Sequence, residues 1–206
     1  YAPIHSDGTI GSWQTTSSLP GEGLDSSSLS VYKGFVYMIG GGYDSGDSDL
    51  VTYAAIHSDG TLGAWQTSSN HLPATLIGQP AAAYNGYFYA INSEGGGQTY
   101  YAKINSDGST GQWLPTTTDS SNTNLYGIGF AYDNFFYDLG ADGNLYYAPI
   151  NTDGTLGAWA VSTNTVQSGY GVAIYGGNLY TTFGTGLEYG KINSGGVTLA
   201  NATNGA

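Results

Sequence analysis

The chain lacks cysteine and arginine, and both absences exclude classes of function. It has 206 residues with no Cys, and 3 Lys+Arg against 15 Asp+Glu give a formal net charge of -12. Without cysteine there is no disulfide framework, thiolate metal site or cysteine nucleophile. The basic residues are Lys33, Lys103 and Lys191, too few for the basic surface that nucleic acid or an anionic membrane requires. We therefore expect no nucleic-acid partner and no membrane insertion.

Long apolar runs and helical periodicity are also missing. No run approaches the roughly 18 apolar residues of a membrane-spanning helix, and no segment combines helical spacing with good helix formers. The sequence does contain 34 Gly, 19 Tyr, 6 Phe and 4 Trp, enough bulky side chains to form a core. The length fits one domain or one array of small repeats.

A phrase that begins with Tyr and ends with Trp occurs four times. It reads YAPIHSDGTIGSW from Tyr1, YAAIHSDGTLGAW from Tyr53, YAKINSDGSTGQW from Tyr101 and YAPINTDGTLGAW from Tyr147, and a degenerate fifth copy starts at Tyr189. Between these copies, a second phrase joins two short apolar runs through a two-residue turn such as Asn85-Gly86. Turns of this composition are typical of β-hairpins.

Each repeat therefore contains four short strands, which in one copy are predicted near 79–84, 87–92, 99–104 and 111–114. A four-stranded antiparallel unit of about 40–50 residues that repeats along the chain is typical of a β-propeller blade. The sequence predicts an all-β propeller of about four blades plus a half-blade. The half-blade is predicted at 1–16 and the blades near 27–66, 79–114, 126–160 and 169–201.

The stretch from Tyr37 to Gly41, followed by Tyr53 and Trp65, resembles the repeat of the kelch family and related bacterial kelch-like repeats. The resemblance covers nearly the whole chain and implies a β-propeller fold.

The half-blade leaves three arrangements open. In the first, the half-blade joins the last repeat and closes a ring of four blades. In the second, it pairs with the next subunit. In the third, the chain is part of a larger propeller. Unpaired strand edges template association, and a head-to-tail contact of this kind forms either a closed assembly or a filament.

The residues at fixed repeat positions have a structural interpretation. Trp13, Trp65, Trp113 and Trp159 are candidates for sugar-stacking platforms, but a position that recurs in every blade favours packing between blades. Asp7, Asp59, Asp107 and Asp153 precede glycine in turns that resemble the Asp-box of sialidases in placement. The lack of arginine excludes sialidase activity.

Two sets of residues outside the repeated phrases are candidate sites. Tyr43, Tyr126 and Tyr170 are predicted to lie in loops, where they could bind a neutral glycan. Asp44, Asp47 and Asp49 lie within a glycine-flanked loop, which is either a calcium site or a solvated acidic hairpin. No other metal, cofactor or catalytic group is indicated.

The sequence thus predicts a non-catalytic structural or adhesive surface module that assembles through its unpaired half-blade, into a closed assembly or a filament. The alternative is a lectin-like propeller that binds neutral carbohydrate. The expected partners are a second copy of the chain, another surface protein or a neutral glycan. The composition, rich in Ser, Thr, Asn, Gly and Tyr and poor in Lys and Arg, indicates an extracellular or cell-surface protein.

Overall fold

A computed structural model describes residues 1–19, 27–43, 46–76, 78–92, 96–119, 127–162, 171–183 and 186–192. Within these ranges the regular structure is all β, with no helix. Accordingly, no described segment is a helix capable of spanning a membrane.

Four antiparallel sheets follow one another along the chain as the blades of a propeller. Blade one consists of β1 (Ser28–Tyr32), β2 (Phe35–Ile39), β5 (Val51–Ala55) and β6 (Gln66–Thr67), and a small hairpin of β3 (Gly42–Tyr43) and β4 (Gly46–Asp47) is inserted in it. Blade two consists of β7 (Ala81–Tyr84), β8 (Tyr87–Asn92), β9 (Gln98–Lys103) and β10 (Leu114–Thr118). Blade three consists of β11 (Gly127–Tyr132), β12 (Phe135–Gly140), β13 (Leu145–Pro149) and β14 (Ala160–Val161). The described strands of blade four are β15 (Gly171–Tyr175), β16 (Asn178–Phe183) and β17 (Gly186–Lys191).

The turn between the first two strands of a blade has the left-handed backbone that its sequence predicts. Asn85 and Gly86 have φ values of 48° and 89°, and Asp133 and Asn134 have 47° and 64°. Two successive positive φ angles match the twist of the flanking strands, and Asn, Asp and Gly tolerate them best.

The apolar cores lie between the blades. We call the face of a blade that packs against the following blade its trailing face, and the opposite face its leading face. Tyr37 on the trailing face of blade one meets Phe88 on the leading face of blade two edge-on, with ring centroids 4.5 Å apart. Tyr89 and Phe136 stack between blades two and three at 5.4 Å. Each blade therefore needs a neighbour to bury its apolar surface.

In three of the repeats, the hydroxyl side chain three positions after the Trp accepts a backbone N–H from the blade that follows. The Leu156 N–H donates to Thr116 Oγ1 at 2.9 Å across blades two and three. The Thr110 N–H donates to Ser68 Oγ at 3.2 Å across blades one and two. The Leu62 N–H donates to Thr16 Oγ1 at 2.7 Å. We call this contact the hydroxyl clamp.

The N-terminal segment, residues 1–17, is an irregular hairpin that packs on blade one. Tyr1 and Gln14 exchange two backbone hydrogen bonds of 2.8 Å, and Ile4 and Ile10 form an isolated bridge. The Trp65 indole N–H donates to the Ser17 carbonyl at 3.2 Å, which fixes the segment beside the outer strands of blade one.

The all-β propeller predicted from the sequence is confirmed, but the outer strand of blade two is displaced. The sequence predicted it near 111–114, whereas β10 is Leu114–Thr118. After the bridge between Ile104 and Thr110, residues 111–113 leave the ladder, and Trp113 is buried in the core between blades one and two. Ladder pairing resumes at Leu114, opposite Tyr101.

Candidate functional site

The four aspartates of the repeated turns, Asp7, Asp59, Asp107 and Asp153, have one common geometry. In each turn the aspartate Oδ1 accepts the backbone N–H of the residue two positions later at 2.9–3.0 Å and its hydroxyl at 2.7 Å. These side-chain and backbone hydrogen bonds lower the pKa of all four carboxyl groups. The carboxylates accordingly hold their own turns together and are occupied by that contact.

The glycine that follows each of these aspartates lies under an aromatic ring in three of the turns. Gly108 and Gly154 both have a φ of +88°. A Cβ built on Gly108 would lie 2.7 Å from Phe35 of blade one, and one built on Gly154 would lie 2.5 Å from Tyr87 of blade two. The turns thus dock onto the aromatic rings of the preceding blade.

The tryptophans of the repeat lie on the leading faces of their units. Trp113 is buried in the core shared by blades one and two, and Trp159 packs in the core shared by blades two and three. Trp65 donates its indole N–H to the N-terminal segment. Trp13 is exposed, because none of the described residues forms a unit that packs against it from the preceding side.

The loop residues singled out by sequence are only partly described. Tyr126, Tyr170 and Asp44 lie outside the described residues, and Tyr43 is described in its backbone only. Asp47 is exposed in β4. The Asp49 carboxylate lies 3.3 Å from His71 Nδ1. Within the described ranges, no three His, Asp or Glu side chains are grouped to hold a metal ion, so the calcium site stays a prediction.

A cavity of about 380 Å³ opens between blades one and two. Blade one contributes Tyr32, Lys33 and Phe35, with the buried Tyr37 at its floor, and the Asp107 turn contributes Asn105 and Ser106. The Lys33 ammonium lies 5.4 Å from the centroid of the Tyr32 ring. The walls of the cavity thus combine half-buried aromatic rings with an amide, a hydroxyl and one cation.

The pKa of the floor residue is strongly shifted. Burial raises the pKa of Tyr37 to about 12, and the nearby Tyr53 and Asp107 add to the shift. The Tyr37 hydroxyl has no hydrogen-bond partner among the described residues. It therefore stays protonated at all physiological pH values.

The outermost blade faces expose side chains that are buried between interior blades. On the leading face of blade one, Leu29 is 66% exposed, whereas Ala81 at the same position of blade two is 4% exposed. On the trailing face of blade four, Tyr189 is 45% exposed, whereas Tyr53 at the same position of blade one is 5% exposed. Tyr175, also on that trailing face, is 81% exposed.

No family model and no curated protein matches the chain. Among solved structures, the chain is similar to the structure of YjhT with a TM-score of 0.61 and 13% sequence identity. The match covers 82% of this chain and 61% of the YjhT chain. At this identity the likeness supports the propeller fold, and the kelch-like resemblance of the repeats remains a prediction.

Sequence reasoning missed both the cavity and the hydroxyl clamp. The clamp has a sequence signal, because Thr16, Ser68, Thr116 and Ser162 all stand three residues after a repeat Trp. The cavity has a weaker signal, which is the exchange of Gly and Asn at the second turn residue of successive blades, Gly86 and Asn134.

Proposed function

We propose that this protein is a non-catalytic structural module that assembles head to tail. The trailing face of blade four in one copy covers the part of the leading face of blade one in the next copy, around Leu29 and Val31, that the N-terminal segment leaves exposed. The observation that carries this proposal is that apolar and aromatic side chains on these two faces are exposed at repeat positions that are buried or half-buried between the other blades. Apolar patches left open on a folded surface mark interaction sites.

A second copy is the partner that we infer for these faces, because successive blades of the chain already pack a trailing face against a leading face. Tyr175 and Tyr189 have the same repeat positions as residues that pack against a following blade inside the chain. Leu29 and Val31 have the positions of Ala81 and Ala83, which pack against a preceding blade. Such a contact between unlike faces repeats without limit unless it closes into a ring.

The net charge of -12 opposes assembly, but the faces themselves are favourable. The exposed side chains named on both faces are uncharged, and charges farther apart than a Debye length of about 10 Å are largely screened at 0.1 M salt. We expect assembly to strengthen with ionic strength.

An extracellular or cell-surface location with an adhesive role is part of the proposal. Its support is the composition, with very few Lys and Arg residues. A non-catalytic role is supported by the absence of arginine and cysteine from the sequence. The sequence also has no recognisable motif in which a nucleophilic side chain is paired with a general base.

Light scattering after size exclusion tests the assembly. The wild-type protein should have a molar mass of at least twice the 21.4 kDa chain mass. Tyr175→Asp should shift the protein to the single-chain mass without unfolding it, because this side chain is exposed. Val161→Asp is the matched control, since Val161 is exposed on the outer strand β14 of blade three, away from both terminal faces. A wild-type protein that is monomeric at all salt concentrations contradicts the proposal.

Neutral-carbohydrate binding is the second candidate function. The cavity between blades one and two favours it, because small-molecule sites of this size combine apolar or aromatic walls with a few polar groups. The polar residues there, Asn105 and Ser106, are neutral.

A further inference from the structure

The grooves between successive blades differ in the residues of the first turns that line them. Between blades two and three, the Asn134 backbone N–H donates to the Tyr84 hydroxyl at 3.1 Å. The Asn85 side-chain amide donates to Asn134 Oδ1 at 3.3 Å. These two hydrogen bonds tie the first turns of the two blades together across the mouth of the groove.

Between blades one and two, the residue at the position of Asn134 is Gly86, which has no side chain to reach across the groove. Tyr32 and Lys33 stand where Tyr84 and Asn85 stand in the next pair. The cavity of about 380 Å³ lies at this place, and Gly86 is part of its lining. The corresponding groove between blades three and four includes residue 193, which lies outside the described residues.

We propose that the cavity between blades one and two binds a neutral saccharide, and that Gly86 keeps its mouth open. The inference rests on the second candidate function and assigns its site. Tyr32 and Phe35 offer aromatic surface for the apolar C–H face of a sugar ring. The amide of Asn105 and the hydroxyl of Ser106 can donate to and accept from sugar hydroxyls.

A neutral ligand fits better than an anionic one. Lys33 is the only cation in the cavity lining, and the chain as a whole has a net charge of -12. The field of such a protein repels anions. The Lys33 ammonium, held 5.4 Å from the Tyr32 ring centroid, is well placed as a hydrogen-bond donor to a sugar hydroxyl.

The repeat itself supplies the variants. Gly86→Asn introduces the residue whose side chain bridges the first turns of blades two and three. Gly86 has a φ of 89°, and asparagine is one of the few residues besides glycine that adopt left-handed backbone, as Asn134 does at 64°. A Cβ built on Gly86 meets no atom within 4 Å. Asn134→Gly is the matched control, since it removes the side-chain hydrogen bond between Asn85 and Asn134 and changes no residue of the cavity lining. Tyr32→Ala removes one wall and serves as a second loss-of-binding variant.

The full chain is tested by saturation-transfer NMR with methyl β-glucoside, methyl β-galactoside and N-acetylglucosamine as neutral probes and glucuronate as the anionic probe. At least one neutral probe should bind the wild type and Asn134→Gly alike. Gly86→Asn and Tyr32→Ala should each weaken that binding by about tenfold or more, equivalent to about 1.4 kcal/mol.

Three results overturn the inference, and they are distinguishable. Neutral-sugar binding that is unchanged in both loss variants places the site elsewhere while the second candidate function survives. Binding of glucuronate alone shows that the ligand class is wrong. No binding of any probe removes both the site and the function it rests on.

Discussion

The glycine that follows each repeat aspartate provides an internal series for measuring how strongly one blade docks onto the next. We consider alanine substitution at Gly8, Gly60, Gly108 and Gly154. Their φ angles are +83°, +85°, +88° and +88°, so the backbone strain introduced by alanine is nearly the same in each turn. What differs is the ring above the glycine.

The magnitudes follow from those neighbours. Alanine in the left-handed region costs about 1–2 kcal/mol relative to glycine. A Cβ at Gly8 meets no atom within 4 Å, so Gly8→Ala should lose no more than this amount. At Gly154 the Cβ would lie 2.5 Å from the Tyr87 ring, and forcing the ring away should add about 1–3 kcal/mol. Gly108→Ala should behave like Gly154→Ala, because its Cβ would lie 2.7 Å from Phe35.

Urea unfolding followed by tryptophan fluorescence measures the free energy of unfolding of each variant. We expect the loss of stability to be smallest for Gly8→Ala, larger for Gly60→Ala, and largest for Gly108→Ala and Gly154→Ala. The control is Gly34→Ala, at a φ of +81° with no atom within 4 Å of its Cβ. If Gly154→Ala loses no more stability than Gly8→Ala, the aromatic docking of the turns is refuted.

Four further predictions concern stability. Thr116→Val should lower the free energy of unfolding by about 1–3 kcal/mol, because it leaves the Leu156 N–H without its acceptor, and equilibrium unfolding would show no change if the hydroxyl clamp were unimportant. Tyr37→Phe should raise the free energy of unfolding by about 1 kcal/mol, because the buried Tyr37 hydroxyl has no hydrogen-bond partner among the described residues. Tyr146→Phe should instead lower the free energy of unfolding by about 1.5 kcal/mol, because the Tyr146 hydroxyl donates a hydrogen bond to Asp142 Oδ2 at 2.7 Å. Stability should fall at both pH extremes. The aspartate turns, whose pKa values are below the ordinary 3.8, stabilise the fold above that pH and lose this effect as the pH falls through their folded-state values. The pKa of Tyr37, raised from 10.0 to about 12, makes stability fall as the pH rises from 10.0 through about 12. A melting temperature that is constant below pH 3.8 and above pH 10.0 would contradict these assignments.

The periodic features of the fold could be predicted from the sequence because they depend on local chemistry. Asn85-Gly86 and the Asp-Gly turns define hairpins through their own backbone preferences. The Tyr-to-Trp phrase repeats with the blades, so the all-β propeller follows from its recurrence. The start of β10 could not be predicted in this way, because it depends on where Trp113 is buried against another blade.

The candidate site was harder to predict because it is formed between repeats. Tyr32 and Asn105 are far apart in sequence and meet only when blade two packs on blade one. The exchange of Gly86 for Asn134, which we propose keeps this groove open, looks neutral within a turn because both residues adopt positive φ angles. The sequence drew attention to loop tyrosines such as Tyr126 and Tyr170, which lie outside the described residues.

The central claim, that the two terminal blade faces meet between copies, is tested most directly by cysteine cross-linking. The chain has no Cys, so a double variant Val31→Cys and Tyr175→Cys has one thiol on each face and none elsewhere. With a short thiol-reactive cross-linker, the account predicts a ladder of covalent multimers in steps of the 21.4 kDa chain mass, and no ladder from Val31→Cys paired with Val161→Cys. A product that is cross-linked only within single chains, or no product at all, would contradict it.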